Sequence, residues 1–137
     1  MVERLPEDRV DRAAVVVPGD VEQSLRRLVA VLDEMLDSSA VLSHLLWREA
    51  DTHPDVRAAL HARFDRMVVE IRAVLREAGA SQGVDSASIL LASAVSYRHS
   101  VQRHADSDSA VRADMTPELR FLTAALTSSG PARPGPA

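Results

Sequence analysis

A chain of 137 residues with a formal net charge of -4 is long enough to bury a single hydrophobic core. Its sixteen basic residues are all arginines dispersed among twenty acidic residues, so it offers neither a basic nucleic-acid-binding patch nor a lysine for Schiff-base chemistry. Cysteine is absent, which excludes disulfides, thiolate metal sites and sulfur nucleophiles. Hydrophobic residues make up 46% and aromatic residues only 3%, a composition that favours an all-α fold.

The amino-terminal segment, residues 1–19, mixes a charged tract with apolar residues and contains Pro6 and Pro18. This pattern predicts a loosely ordered lead-in. The charged opening lacks the apolar core of a signal peptide, and no run in the chain reaches membrane-spanning length. We therefore expect a cytoplasmic protein that does not associate with a membrane.

The first long helix should begin after Asp20, which can act as its N-cap, with Gln23 three residues later. Apolar residues then recur at steps of three and four, which predicts a helix as far as about Asp37. The residues of this stripe are Val21, Leu25, Leu28, Leu32 and Met35.

A short second helix is predicted to begin after Ser38 or Ser39 and to end near Ala50. A third should follow a sharp corner, where Thr52 or His53 provides the N-cap. Pro54 takes the first helical position because its missing N–H is not needed there. The apolar spacing that follows runs to Gly79 and predicts a helix of about 25 residues, or ~38 Å.

Two further helices are predicted, one capped by Asp85 and one that Thr116 caps and Pro117 opens. The whole pattern predicts a bundle of five or six helices within residues 20–127. The last ten residues, 128–137, are rich in Pro and Gly, which indicates a disordered tail.

The corner carries a resemblance to a known family. Leu45 and Leu46, followed by Glu49 and then by His53-Pro54-Asp55, resemble the short apolar helix and the His-Pro-Glu-like corner of the effector-binding domain of TetR/AcrR-type transcriptional regulators. The chain departs from that pattern in having Asp55 in place of the commoner glutamate. The resemblance extends over residues 21–126 through helix order and length.

This resemblance implies a homodimeric domain that senses a small, largely apolar effector between its middle helices. His44 could hydrogen-bond an effector, but satisfying a neighbouring backbone group is the favoured interpretation, and apolar residues at helical spacing belong to a core more often than to a pocket. The pocket candidates are Met35, His44, Leu46, Trp47, Phe64, Met67, Ile71, Val95 and Tyr97. The candidates for the dimer interface, on the last two helices, are Leu90, Leu91, Ala94, Val95, Val101, Leu119, Leu122 and Leu126.

Family members also carry an amino-terminal helix-turn-helix region, and no sequence before Val21 supplies one. The opening residues 1–5 resemble the middle of the helix that connects the two regions, which suggests a start at an internal methionine. We accordingly expect no direct nucleic-acid binding by this chain.

The five histidines raise the question of a metal site, because Glu49 and His53, and His61 and Asp65, are each four residues apart. The paired Glu-x-x-His motifs of helical iron proteins are absent, so solvent-exposed histidines are favoured and no metal or other cofactor is expected. The sequence also lacks a nucleophile elbow and a phosphate-binding glycine loop, and we expect no enzymatic activity. The alternative is a free-standing helical module that binds a partner protein and has no small-molecule pocket.

Overall fold

The fold is an all-α bundle in a computed structural model that describes residues 9–102 and 115–127. Over these residues the chain forms helices joined by short connections and contains no strand, so the predicted fold class is confirmed. The helices are α1 (Arg12–Val15), α2 (Val21–Ser38), α3 (Ala40–Glu49), α4 (Pro54–Glu77), α5 (Val84–Gln102) and α6 (Thr116–Thr127).

Helix α2 lies at the centre of the bundle and contacts α1, α4, α5 and α6. The leucines Leu25, Leu28 and Leu32 of its apolar stripe are fully buried. They meet Ile71 and Val74 of α4 in one continuous core. The periodicity of α2 and α4 therefore gives the bundle its two principal helices.

Local signals place most helix ends where the sequence predicts them. The Asp20 carboxylate accepts a hydrogen bond from the backbone N–H of Gln23 at 2.9 Å. Pro54 begins α4, and Gly79 follows its end with a φ of +102°, a conformation that favours glycine. The Gly83 carbonyl accepts a hydrogen bond from the Ala87 N–H at 2.9 Å, and α5 begins at Val84. Asp85 therefore lies in the first turn of α5 and is not its N-cap, so the helix starts two residues earlier than predicted.

The prediction of a loosely ordered lead-in is wrong for residues 9–19. Val10 and Val15 are buried in the main core, and the Gly19 N–H donates to the Ala78 carbonyl at 3.0 Å. The buried Ser24 hydroxyl accepts from the Val17 N–H at 2.8 Å and donates to the Asp20 carbonyl at 2.8 Å. These tertiary contacts order a segment whose local sequence has no helical stripe; residues 1–8 and the predicted tail, 128–137, lie outside the described residues.

Helix α3 packs mainly on α4, away from the main core. A small separate cluster of Ala50, Val56 and Leu60, with Leu46 beside it, joins the end of α3 to the start of α4. Arg57 closes the corner by donating through Nε and Nη2 to the Ala50 carbonyl, at 3.2 and 3.1 Å. Because α3 is attached at this corner, a space remains between it and α5.

Candidate functional site

A cleft of about 770 Å³ lies in the space between α3, α4 and α5. This volume is typical of small-molecule sites, which span roughly 300–1,000 Å³. The end of α2 closes one side through Leu36. The lining residues are Leu36, Ser43, His44, Trp47, Arg48, Leu60, His61, Arg63, Phe64, Asp65, Met67, Ser96 and His99.

Large apolar side chains form much of the cleft wall. Leu60 and Met67 are buried, and Leu36 and Phe64 are half-buried. Trp47, the only tryptophan in the chain, stands at the rim with 57% of its surface exposed. A concave wall of this kind can shield the apolar body of a small molecule from water.

Arg63 is the most buried charged side chain in the wall, with only 5% of its surface exposed. It projects from α4 to the elbow between α2 and α3. Nη1 donates to the Ser43 hydroxyl and Nη2 to the Ser39 hydroxyl, each at 2.6 Å. Arg63 therefore both fixes the position of α3 and places positive charge inside the cleft.

His99 lines the other side of the cleft and belongs to a charged cluster between α2 and α5. Its Nε2 lies 3.0 Å from Asp33 Oδ1 and its Nδ1 lies 3.3 Å from Asp37 Oδ1. Arg98 also pairs with Asp33. This cluster ties the wall of the cleft to α2.

Among the predicted pocket residues, the structure brings His44, Trp47, Phe64 and Met67 together in the cleft wall. The other five do not line it. Ile71 and Val95 are fully buried in the core and Met35 packs against that core, whereas Leu46 packs in the small cluster of the corner. Tyr97 is 72% exposed on α5. Helical spacing identifies apolar positions, but it does not distinguish a core-facing position from a cavity-facing one.

The predicted dimer-interface residues also divide by burial. Leu91, Val95, Leu119, Leu122 and Leu126 are buried in the core of the chain itself, so they have almost no surface to offer a second copy. Their assignment to an interface is corrected, because α5 and α6 direct these residues towards α2 and α4. Leu90 and Ala94 are exposed, and the side chain of Val101 lies outside the described residues.

Sequence reasoning missed most of the polar residues of the cleft. His61 and Asp65 are exposed, as their place on the charged side of α4 suggests, but they stand at the mouth of the cleft. Arg63 carries no local signal at all, because its serine partners lie 20 and 24 residues earlier in the chain. The residues that were not anticipated in the wall are Leu36, Ser43, Arg48, Leu60, His61, Arg63, Asp65, Ser96 and His99.

Of the two carboxylate–histidine pairs considered for metal binding, the structure brings Glu49 and His53 into contact. His53 Nδ1 lies 3.3 Å from Glu49 Oε2 at the exposed corner. Within residues 9–102 and 115–127, no group of three His, Asp or Glu side chains is arranged to hold a metal ion. None of the helices in the described part of the chain is long and apolar enough to cross a membrane.

Comparison of the chain with protein-family models, with curated proteins and with solved structures gives no match.

Proposed function

We propose that this chain is the ligand-binding and dimerisation domain of a TetR-like transcriptional regulator, and that it senses a small, largely apolar effector. The observation that supports this proposal is the cleft between α3, α4 and α5, whose volume and apolar wall suit such a molecule. The family resemblance of the corner at residues 45–55 supports the same function. In a regulator that also carries a DNA-binding region, the effector would act by preferring one conformation over another.

Binding can be measured through Trp47, since this single tryptophan lies at the rim of the cleft. Addition of 1-decanol, a neutral apolar molecule, should shift the Trp47 emission to shorter wavelength and saturate. The chain offers a matched pair of variants, because it has two phenylalanines and only Phe64 lines the cleft. Phe121 is 73% exposed on α6.

Phe64→Ala should weaken 1-decanol binding by about tenfold, because the ligand loses an aromatic surface to pack against. Phe121→Ala should leave the affinity unchanged. Far-ultraviolet circular dichroism of both variants provides the check that each remains folded. Equal affinities in the two folded variants would contradict binding in the cleft.

Dimerisation is proposed to use the outer face of α5, where Leu90, Ala94 and Tyr97 recur at steps of four and three and are exposed. Light scattering should give a mass near twice the 14.9 kDa of the chain. Ala94→Arg should reduce it to the mass of one chain. Ala58→Arg, at an exposed position of α4, is the control that should remain dimeric. A monomeric parent protein would remove the dimerisation part of the proposal.

A protein-interaction module without a small-molecule ligand is the second candidate, and the outer surface of α3 favours it. Val41, Leu42 and Leu45 expose between 41% and 77% of their surface, an unusual density of apolar residues on one short helix. This candidate predicts no saturable binding of 1-decanol to the parent chain. It would gain support only if the cleft failed that measurement.

A further inference from the structure

The polar part of the cleft wall is richer in positive than in negative charge. Arg48 and Arg63 are permanently charged. Asp65 is the only carboxylate among the described lining residues. The chain as a whole has a formal net charge of -4, so the cleft has the opposite bias to the rest of the molecule.

The charges are also separated by depth. Asp65 is exposed at the mouth together with Arg48 and His61, whereas Arg63 is buried. Asp33 and Asp37 face His99 from α2, but neither lines the cleft. An electrostatic interaction is stronger where water is excluded, so the buried guanidinium acts more strongly on a bound molecule than the exposed charges at the mouth do.

Hydrogen-bond donors accompany this charge. The buried Ser43 hydroxyl accepts a bond from Arg63, which leaves its own O–H proton to donate. Ser96 lines the facing wall on α5, where its hydroxyl makes no hydrogen bond to the described residues. A ligand group that accepts hydrogen bonds and carries negative charge would satisfy both features.

We propose that the cleft selects an amphipathic carboxylate, whose apolar body packs against Leu36, Phe64 and Met67 and whose carboxylate lies beside Ser43 and Arg63. The geometry suits this class because one end of the ligand needs an apolar wall and the other needs donors. This inference rests on the proposed ligand-binding function and adds the charge of the ligand to it.

The test compares decanoate with 1-decanol at pH 7.5, using Trp47 emission at concentrations below those at which either forms aggregates. The two molecules have the same carbon chain and differ in head group. Decanoate should bind about tenfold more tightly than 1-decanol, because only the carboxylate gains charge-assisted hydrogen bonds. Equal affinities, or a preference for 1-decanol, would overturn the inference and leave the proposed apolar binding intact. Failure of both to bind would refute the proposed function and this inference with it.

Substitutions in the cleft wall test whether the carboxylate of decanoate lies beside Ser43 and Arg63. Arg63→Met keeps an unbranched side chain and should bring the ratio of the decanoate and 1-decanol affinities close to one. Because Arg63 also positions α3, both affinities can fall in this variant, and the ratio measured within the folded variant is the readout. Arg66→Met, at an exposed position of α4 that does not line the cleft, is the matched control and should retain the preference.

Ser43→Ala tests the same position of the carboxylate without removing the buried guanidinium. It replaces Arg63→Met as the test variant if Arg63→Met does not fold. It should reduce the preference for decanoate by about threefold or more, since one donor to the carboxylate is lost. An unchanged preference in either folded variant would contradict the placement of the carboxylate beside Ser43 and Arg63.

Discussion

The attachment of α3 depends on Ser39, and the adjacent Ser38 is a control because it lacks one of the contacts that Ser39 makes. The Ser38 and Ser39 hydroxyls both donate to the Met35 carbonyl, at 2.9 and 3.0 Å. Only Ser39 also accepts a hydrogen bond from Arg63, at 2.6 Å. Ser39 makes no side-chain cap to α3, so replacing it with alanine removes no capping bond. The difference between the two alanine variants therefore reports the contact with Arg63.

A hydrogen bond to a charged group contributes about 1.5–3 kcal/mol, and both Ser39 and Arg63 are buried to 5% exposure. Ser39→Ala should accordingly lower the free energy of unfolding by about 2 kcal/mol more than Ser38→Ala does. Ser38 is exposed, so Ser38→Ala should change the free energy of unfolding by no more than about 0.5 kcal/mol.

Urea unfolding followed by circular dichroism measures both variants, first in the parent chain and then with Arg63→Met. In the Arg63→Met background, the free energies of unfolding of the Ser39→Ala and Ser38→Ala variants should differ by less than about 0.5 kcal/mol. The difference disappears because the guanidinium that donates to Ser39 is absent. A difference that persists at its full size would refute the assignment of this energy to Arg63. Equal effects of the two serine variants in the parent chain would do the same.

Five other substitutions, two of them controls, test the remaining parts of the fold by the same unfolding assay. Leu28→Ala should lower the free energy of unfolding by about 2–5 kcal/mol because Leu28 is fully buried. Leu90→Ala, at a position that is 58% exposed, should lower it by less than about 0.5 kcal/mol. Similar losses in the two variants would contradict the position of the core. Ser24→Ala should lower the free energy of unfolding by about 1–3 kcal/mol, because the Val17 N–H loses its acceptor. An unchanged free energy of unfolding would contradict the packing of residues 9–19. Asp33→Asn should lower the free energy of unfolding by about 1 kcal/mol, because Asp33 pairs with Arg98 and His99 of α5. Asp85→Asn, at a more exposed position, should lower it by less than about 0.5 kcal/mol. The reverse order would contradict the cluster at His99.

The helices of this protein could be predicted from sequence because their signals are local. Asp20, Pro54 and Gly79 each mark a helix end through the conformation of a few neighbouring residues, and the apolar stripes of α2 and α4 repeat over several turns. The packing of residues 9–19 could not be predicted in this way. It depends on Ser24 and Ala78, whose contacts with this segment exist only once α2 and α4 have come together.

The cleft was predicted only in part, and for a related reason. Phe64 and Ile71 belong to the same apolar stripe of α4, yet Phe64 reaches the cleft and Ile71 is fully buried in the core. Which of them meets a cavity depends on where α3 is attached. The position of α3 depends in turn on Arg63, and burial of an arginine is uncommon enough that sequence reasoning assigns such a residue to the surface.

The central claim, that the cleft between α3, α4 and α5 binds a small amphipathic molecule, is tested most directly by mapping amide chemical shifts during a titration with decanoate. Saturable changes are expected, concentrated in residues 43–48 of α3, 60–67 of α4 and 96–99 of α5. Changes confined to the outer face of α3 around Val41 and Leu45, or the absence of saturable changes, would contradict binding in the cleft.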